Sequence, residues 1–238
     1  MKPVAVVGMG LSLEDLTRKH LDIIADAEIL VGGRRYLAWF PEHPGKKREI
    51  VSPLSEVVSD IQEWMINHNV VVLASGDPLF YGIGGTLIKA LGPANIEIYP
   101  NVSTLAAAFS RIKIAWDEIR VISLHGEDRE QELTESLRCN RNIFLITDPE
   151  RNPEWIAKIV SKKAPHRWRM CVLEKMGETT EKINWLLPEE TSDMHFSEPN
   201  VVILKKREKR QWSRPLTLGA PEEWYDHERG LITKSEVR

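Results

Sequence analysis

The stretch Val70-Val71-Val72-Leu73-Ala74, followed by Ser75-Gly76-Asp77-Pro78-Leu79-Phe80-Tyr81-Gly82, decides the fold. Five apolar residues without polar alternation describe a strand buried on both faces, as in a parallel sheet covered by helices. The glycine- and proline-containing segment that follows ends the strand and sets a turn before a helix over Gly82–Leu91. Working outward, Val4–Val7 is a similar run that ends at Gly8. Ser12-Leu13-Glu14-Asp15 has capping-box spacing, and Leu13, Leu16, His20, Ile23 and Ile24 follow at helical intervals. Glu28–Val31 and Ile96–Tyr99 read as further strands. Leu54–His68 reads as a helix with Val57, Val58, Ile61, Trp64 and Met65 on one face, and the Ala-rich Ser103–Ile112 as another. This βαβ succession implies a mainly parallel sheet with helices on both faces.

The pattern restarts after the short connection Ile114–Asp117. Ile119–Leu124 and Asn142–Thr147 read as strands, Asp128–Leu137 and Pro153–Lys162 as helices, and Arg169–Leu173 and Val201–Lys205 as later strands. The helical signal fades between the last two, which predicts turns and antiparallel pairing there. The expected architecture is an α/β protein of two lobes, a parallel-sheet lobe over residues 1–114 and a mixed-sheet lobe over 115–213, with a tail over 214–238.

Composition narrows the class. Apolar residues make up 42% of the 238 and charged residues 28%, enough for a sizeable core. A formal charge of −3 argues against a protein that coats nucleic acid. No apolar run approaches the roughly 20 residues of a membrane helix. Val4–Val7 begins so early that no signal peptide is expected before it. The two cysteines, Cys139 and Cys171, are too few for a disulfide scaffold and fit the cytoplasm. The seven histidines are scattered without structural-zinc spacing, so no protein-bound metal is expected.

Three turns carry the chemistry, each after a strand of the first lobe. Gly8-Met9-Gly10 lets the backbone turn sharply and approach a ligand. A dinucleotide fingerprint needs a third glycine, and Leu13 stands there. The turn is therefore either ligand-facing or a simple strand-to-helix turn. In Ser75–Gly82, Gly76 permits close backbone approach, Asp77 offers an acceptor, and Phe80 and Tyr81 offer aromatic surface. The alternative is a helix-leading turn with Asp as cap and Phe as core. In Pro100-Asn101-Val102-Ser103-Thr104, two hydroxyls at a helix start suit a polar ligand and are equally ordinary N-caps. Several strand-end turns lining one cleft make a small-molecule site.

These turns, with Asp15-Leu16-Thr17 after the first and with Leu173-Glu174-Lys175-Met176-Gly177-Glu178, resemble the tetrapyrrole methylase family in consistent order over roughly residues 3 to 205. Ala106-Ala107-Ala108-Phe109, Trp116-Asp117 and Ser123-Leu124-His125-Gly126 resemble its carbon-5 branch. The resemblance implies a cleft between the lobes and S-adenosylmethionine as methyl donor, leaving as S-adenosylhomocysteine. It implies a corrin-type acceptor, precorrin-7 or cobalt-precorrin-7, methylated at carbon 5 in cobalamin biosynthesis. Donor contacts carry over onto Ser75, Gly76, Asp77, Phe80, Ser103, Thr104, Thr147 and Gly177. Gly8 and Gly10 would face the tetrapyrrole, and Arg34, Arg35, Arg111 and His125 are candidates for its side. The family often has Pro-Gly-Asp after the opening glycines, where this chain has Leu11-Ser12-Leu13. A homodimer is also implied.

Such a transfer needs positioning more than acid–base chemistry, which agrees with the lack of a Ser-His-Asp or Cys-His constellation. No catalytic residue is assigned from the sequence. The alternatives are a methylase of the same fold for another tetrapyrrole position, RNA ribose or diphthamide, a nicotinamide-dependent precorrin reductase, and a non-catalytic scaffold. The tail, with Leu218–Tyr225 and Gly230–Arg238, resembles the opening of the decarboxylating carbon-15 methylase. The expectation is the N-terminal half of a fused two-methylase protein, cut at the junction, with the carbon-15 methylase as a fused or separate partner; the alternatives are an independent linker and a surface tail of chance similarity.

Overall fold

A computed structural model describes residues 2–125, 129–139, 141–191 and 194–207. The expected tail and Gly126 lie outside the described residues. The four hydrophobic core clusters among the described residues lie within one compact unit, Met1–Lys206.

The first sheet holds β1 (Val4–Gly8), β2 (Ile29–Gly32), β3 (Lys46–Glu49), β4 (Val70–Ala74) and β5 (Ile96–Tyr99). All its pairings are parallel, in the order β3-β2-β4-β1-β5. The central strands β1, β2 and β4 are buried throughout, as their unbroken apolar runs require. Residues alternate between two cores. Ala5, Val7, Leu30, Val71 and Leu73 pack with Ile24 of α1 (Arg18–Ala25) on one face. Val4, Val6, Val31, Val70 and Val72 pack with Val57 and Ile61 of α3 (Leu54–Trp64) and Leu87 of α4 (Gly84–Leu91) on the other. From adjacent β1 and β4 the chain leaves in opposite directions, to β2 and to β5. This is the switch point at which open α/β sheets bind ligands beyond the strands' carboxyl ends.

The second sheet has the order β6-β7-β10-β8-β9, from β6 (Ile119–Ser123), β7 (Asn142–Ile146), β8 (Trp168–Glu174), β9 (Lys182–Leu186) and β10 (Asn200–Lys206). Only β6 and β7 run parallel. Its outer face packs on α6 (Glu130–Ser136) and α7 (Pro153–Lys163). Its inner face is covered by α5 (Thr104–Ile112), whose Leu105, Ala108 and Phe109 meet Phe144, Cys171, Leu173, Val201 and Ile203. Leu11 and Phe80 of the first lobe pack against the same cluster. The lobes thus share a core.

Several elements differ from the sequence expectation. The Ser12 box forms, but it closes only a 3-10 turn, Leu13–Asp15, because Leu16 is extended; Thr17 then caps α1. The third helix stops at Trp64 rather than His68. The edge strand β3 and the short helix α2 (Arg34–Leu37) carry little apolar periodicity and were not expected, while β9, antiparallel to β8, falls in the stretch where antiparallel pairing was expected.

Candidate functional site

The turns after β1 and β4 are stitched to each other. Gly10 N–H donates to Gly76 O and Gly76 N–H to Gly10 O, both at 3.2 Å, and Met9 N–H donates to Ala74 O at 2.9 Å. Both glycines sit at left-handed φ, +61° and +58°. At Gly10 a Cβ would stand 2.5 Å from the Asp15 Cβ, whose carboxylate accepts from Leu11 N (2.7 Å) and Ser12 N (3.2 Å). At Gly8 a Cβ would stand 2.6 Å from Gly76 O. The third turn joins through Asn101, whose Nδ2 donates to Gly8 O at 2.9 Å.

Beyond these turns lies a cavity of about 80 Å³, lined by Gly10, Leu11, Arg35, Tyr36, Ser75 and Thr104 from the first lobe and Met176, Pro199, Asn200 and Val201 from the second. Tyr36 Oη donates to Ser75 Oγ at 2.7 Å across its mouth. Ligand pockets typically run to about 300–1,000 Å³, so this one must widen to hold a nucleoside-sized donor. Its hydroxyls, one amide and apolar walls otherwise suit such a ligand.

Of the expected donor contacts, Ser75 and Thr104 line the cavity. Gly76 lies directly behind, its Cβ position 3.6 Å from Thr104 N and Oγ1. Asp77 accepts from Leu79 N at 2.9 Å, and Ser103 caps α5 by accepting from Ala106 N at 3.2 Å. The Phe80 ring packs against Tyr81 and, at 6.3 Å, Phe144 of the second lobe. Thr147 Oγ1 bonds Asn200, its O and its Oδ1, and so supports the wall from behind. Gly177, at φ +84°, faces Leu11, with which a Cβ would collide at 2.6 Å.

Of the expected acceptor contacts, Gly10 lines the cavity and Gly8 packs behind it. Arg34 is exposed and bonds Glu49 at 3.1 Å. Arg111 grips Glu181 with two bonds, 2.9 and 3.2 Å, across the lobes. Burial alone would raise the Glu181 carboxyl, but the Arg111 bonds, Gly177 N–H and the Arg111 charge hold it below the ordinary carboxylate value. His125 is exposed at the end of β6 and does not line the cavity.

Sequence reasoning missed Leu11, Tyr36, Met176, Pro199, Asn200 and Val201. Met176 lies inside the quoted Leu173–Glu178 motif. Asn200, directly before the apolar run Val201–Leu204, gave a polar signal at a strand start. Two buried titratable groups, neither lining the cavity, are shifted by their surroundings. His20, whose Nδ1 accepts from Thr17 N at 3.3 Å, is held below its ordinary pKa by burial, opposed by a bond to the Pro100 carbonyl and assisted by the Lys19 charge. Burial pushes the Cys171 thiol to about 12 against a small opposing effect of Arg169, so it is no nucleophile.

Residues 3–189 match the family Tetrapyrrole (Corrin/Porphyrin) Methylases. The chain is 32% identical over 206 residues to the cobalt-precorrin-7 C(5)-methyltransferase of Salmonella typhimurium (strain LT2), covering 86% of this chain and 100% of that one. It is 28% identical to a decarboxylating precorrin-6Y C(5,15)-methyltransferase of Sinorhizobium sp, covering 99% of this chain and 57% of the relative. The crystal structure of uroporphyrin-III C-methyl transferase from Thermus thermophilus, complexed with S-adenosyl homocysteine, shares the fold: TM-score 0.69, 23% identity, 85% of this chain and 96% of that one.

Proposed function

This chain belongs to the tetrapyrrole (corrin/porphyrin) methylases, and from that premise we propose that it transfers a methyl group from S-adenosylmethionine to carbon 5 of precorrin-7 or cobalt-precorrin-7. The observation that carries the reading is the stitched pair of strand-end turns, Gly8–Leu11 and Ser75–Asp77, at the floor of an interlobe cavity. The full-length match to a carbon-5 enzyme supports the position on the ring. The donor is assigned to the side bounded by Ser75, Gly76, Asp77, Ser103 and Thr104, with Thr147 and Gly177 supporting the opposite wall and Phe80 fixing the loop. The acceptor is assigned to the side of Gly8, Gly10, Arg34 and Arg35.

When bound, the donor supplies a methyl on a sulfonium, a good leaving group. The chain's part is to hold donor and ring carbon in line and to exclude water. Arg35 and Tyr36 are the only titratable side chains among the described cavity-lining residues, which suits a transfer without prior acid–base catalysis. Arg111 serves the architecture through Glu181.

We further propose a cytoplasmic homodimer. Leu79, Tyr81, Val102 and Trp116 are exposed large apolar residues, the first three on the turns after β4 and β5. No described helix is long and apolar enough to cross a membrane. Residues 214–238 are read as the opening of a decarboxylating carbon-15 methylase, supported by a match to the Sinorhizobium enzyme that runs over 99% of this chain. Calorimetry with S-adenosylhomocysteine, followed by methyl transfer to precorrin-7 located by NMR, tests the central assignment. Binding without transfer to carbon 5 would reassign the acceptor, and no binding would remove the donor.

A further inference from the structure

Two arginines of the first lobe hold one loop of the second, Lys175–Glu181, and they hold it differently. Arg111 meets Glu181 with two bonds, with side chains 31% and 22% exposed, and Glu181 also accepts from Gly177 N at 2.8 Å. That end is pinned. Arg35 meets Glu178 through a single contact of 3.6 Å, with side chains 41% and 36% exposed. That distance is too long for a well-formed charge-assisted hydrogen bond, and the exposure leaves the pair weak. Arg35 also donates to Leu11 O at 3.3 Å, and its guanidinium lies 5.8 and 5.7 Å from the Tyr36 and Trp39 rings. The guanidinium is thus aimed at the cavity mouth by its neighbours, whether or not Glu178 stays.

The cavity must enlarge to take any sizeable ligand, and the lobes are tied by the shared core around Phe80, Phe109 and Phe144. The Glu178 side chain meets the first lobe through the weak Arg35 contact, beside the packing of Gly177 on Leu11, whereas the Glu181 end is held by two Arg111 bonds. An acceptor that carries carboxylates presents Arg35 with the same chemistry as Glu178, and a planar carboxylate can take two guanidinium bonds where Glu178 takes one contact.

We propose that Arg35 is the residue that selects a carboxylate-bearing acceptor and that Glu178 is its placeholder, displaced when a ligand carboxylate reaches Arg35, which releases one end of the Lys175–Glu181 loop and widens the cavity. The proposal rests on the tetrapyrrole reading of the site and adds how that acceptor is admitted.

The test is a double-mutant cycle on the full chain, with binding of uroporphyrin III, a polycarboxylate tetrapyrrole, followed by fluorescence quenching. Glu178→Gln removes the competing charge and should tighten binding at least threefold; Arg35→Gln should weaken it about tenfold. In the double variant the gain from Glu178→Gln should vanish, since it acts only through Arg35. A purely structural ion pair would instead make Glu178→Gln neutral or weakening, and that overturns the proposal. So does a gain that persists without Arg35, or an absence of porphyrin binding in both the parent and Glu178→Gln. S-adenosylhomocysteine titrated into the parent chain tests the donor assignment separately. Uptake there with no porphyrin gain in Glu178→Gln retires the placeholder and leaves the methyltransferase reading intact.

Discussion

Gly10 and Gly76 share a left-handed φ near +60° but differ in what a methyl group would meet, and Ala substitutions at the two separate conformational strain from packing. For Gly76→Ala the nearest atoms would be at 3.6 Å, an ordinary contact, so the expected cost is the left-handed penalty alone, about 1–2 kcal/mol. Gly10→Ala carries the same penalty and also drives the Asp15 side chain away, because the new Cβ would stand 2.5 Å from the Asp15 Cβ and 2.7 Å from Oδ2. The displaced carboxylate leaves the Leu11 and Ser12 N–H groups without an acceptor. These are partly buried bonds to a charged group, and losing them adds about 2–3 kcal/mol. The expected totals are therefore about 1–2 kcal/mol at Gly76 and about 3–5 kcal/mol at Gly10.

The assay is equilibrium unfolding in urea, followed in parallel by tryptophan fluorescence and far-UV circular dichroism. Coincident curves establish the two-state behaviour on which the comparison depends. Equal losses in the two variants would refute the account, because φ would then be the whole cost. A further check is Gly10→Ala in an Asp15→Gly background, which removes both the clashing Cβ and the carboxylate, so that the excess over Gly76→Ala should disappear.

The remaining expectations are as follows. His20 is buried and holds its folded pKa below its ordinary value, so its share of stability is present above about pH 6.5, the unfolded value, and is lost as pH falls through the folded one; melting temperature between pH 8 and 5 should drop less in His20→Gln than in the parent. Asp77→Ala should weaken S-adenosylhomocysteine binding severalfold in calorimetry, and Asp77→Asn should restore it if the bond to Leu79 N is what shapes the loop; failure of Asn to restore binding would make the charge itself the contact. Removing residues 215–238 should leave melting temperature and donor affinity unchanged, since the described strands of both sheets and their core clusters lie between Val4 and Lys206, and a large loss of either would show that the tail completes this fold.

The parallel sheet was legible because its central strands are buried on both faces and so carry unbroken apolar runs, as Val70–Ala74 does. The edge strand Lys46–Glu49 left no such mark. It pairs only with β2 and needs backbone bonds rather than apolar side chains, so Lys-Lys-Arg-Glu can form it. The start of α1 was misplaced for a related reason. Two boxes follow one another, Ser12 to Asp15 and Thr17 to His20, and the second uses an imidazole in place of the usual Glu or Gln. Arg111 pairs with Glu181, 70 residues away, and nothing in local spacing marks that partner. The second wall of the cavity stayed hidden likewise, because Pro199, Asn200 and Val201 reach it through strand pairing rather than through a turn beside the others.

For the three strand-end turns, the sequence posed a choice between ligand contact and ordinary structural duty, and the geometry shows the structural duty of several of their side chains. Asn101 ties its turn to Gly8, Asp77 closes its loop on Leu79, and Ser103 caps α5, so each of these side chains has a structural duty. The turns also present Gly10, Ser75 and Thr104 to the cavity, three of the residues expected there. Gly10 at +61° and Gly76 at +58° are bridged to each other, and the same two bonds hold the turns together and form the cavity floor. The Ser-Gly-Asp-Pro segment is therefore informative because scaffold and site demand neighbouring residues of one short loop. By the same reasoning a motif locates the loop that faces a ligand, while the touching atoms must be read from which side chains the fold has left uncommitted.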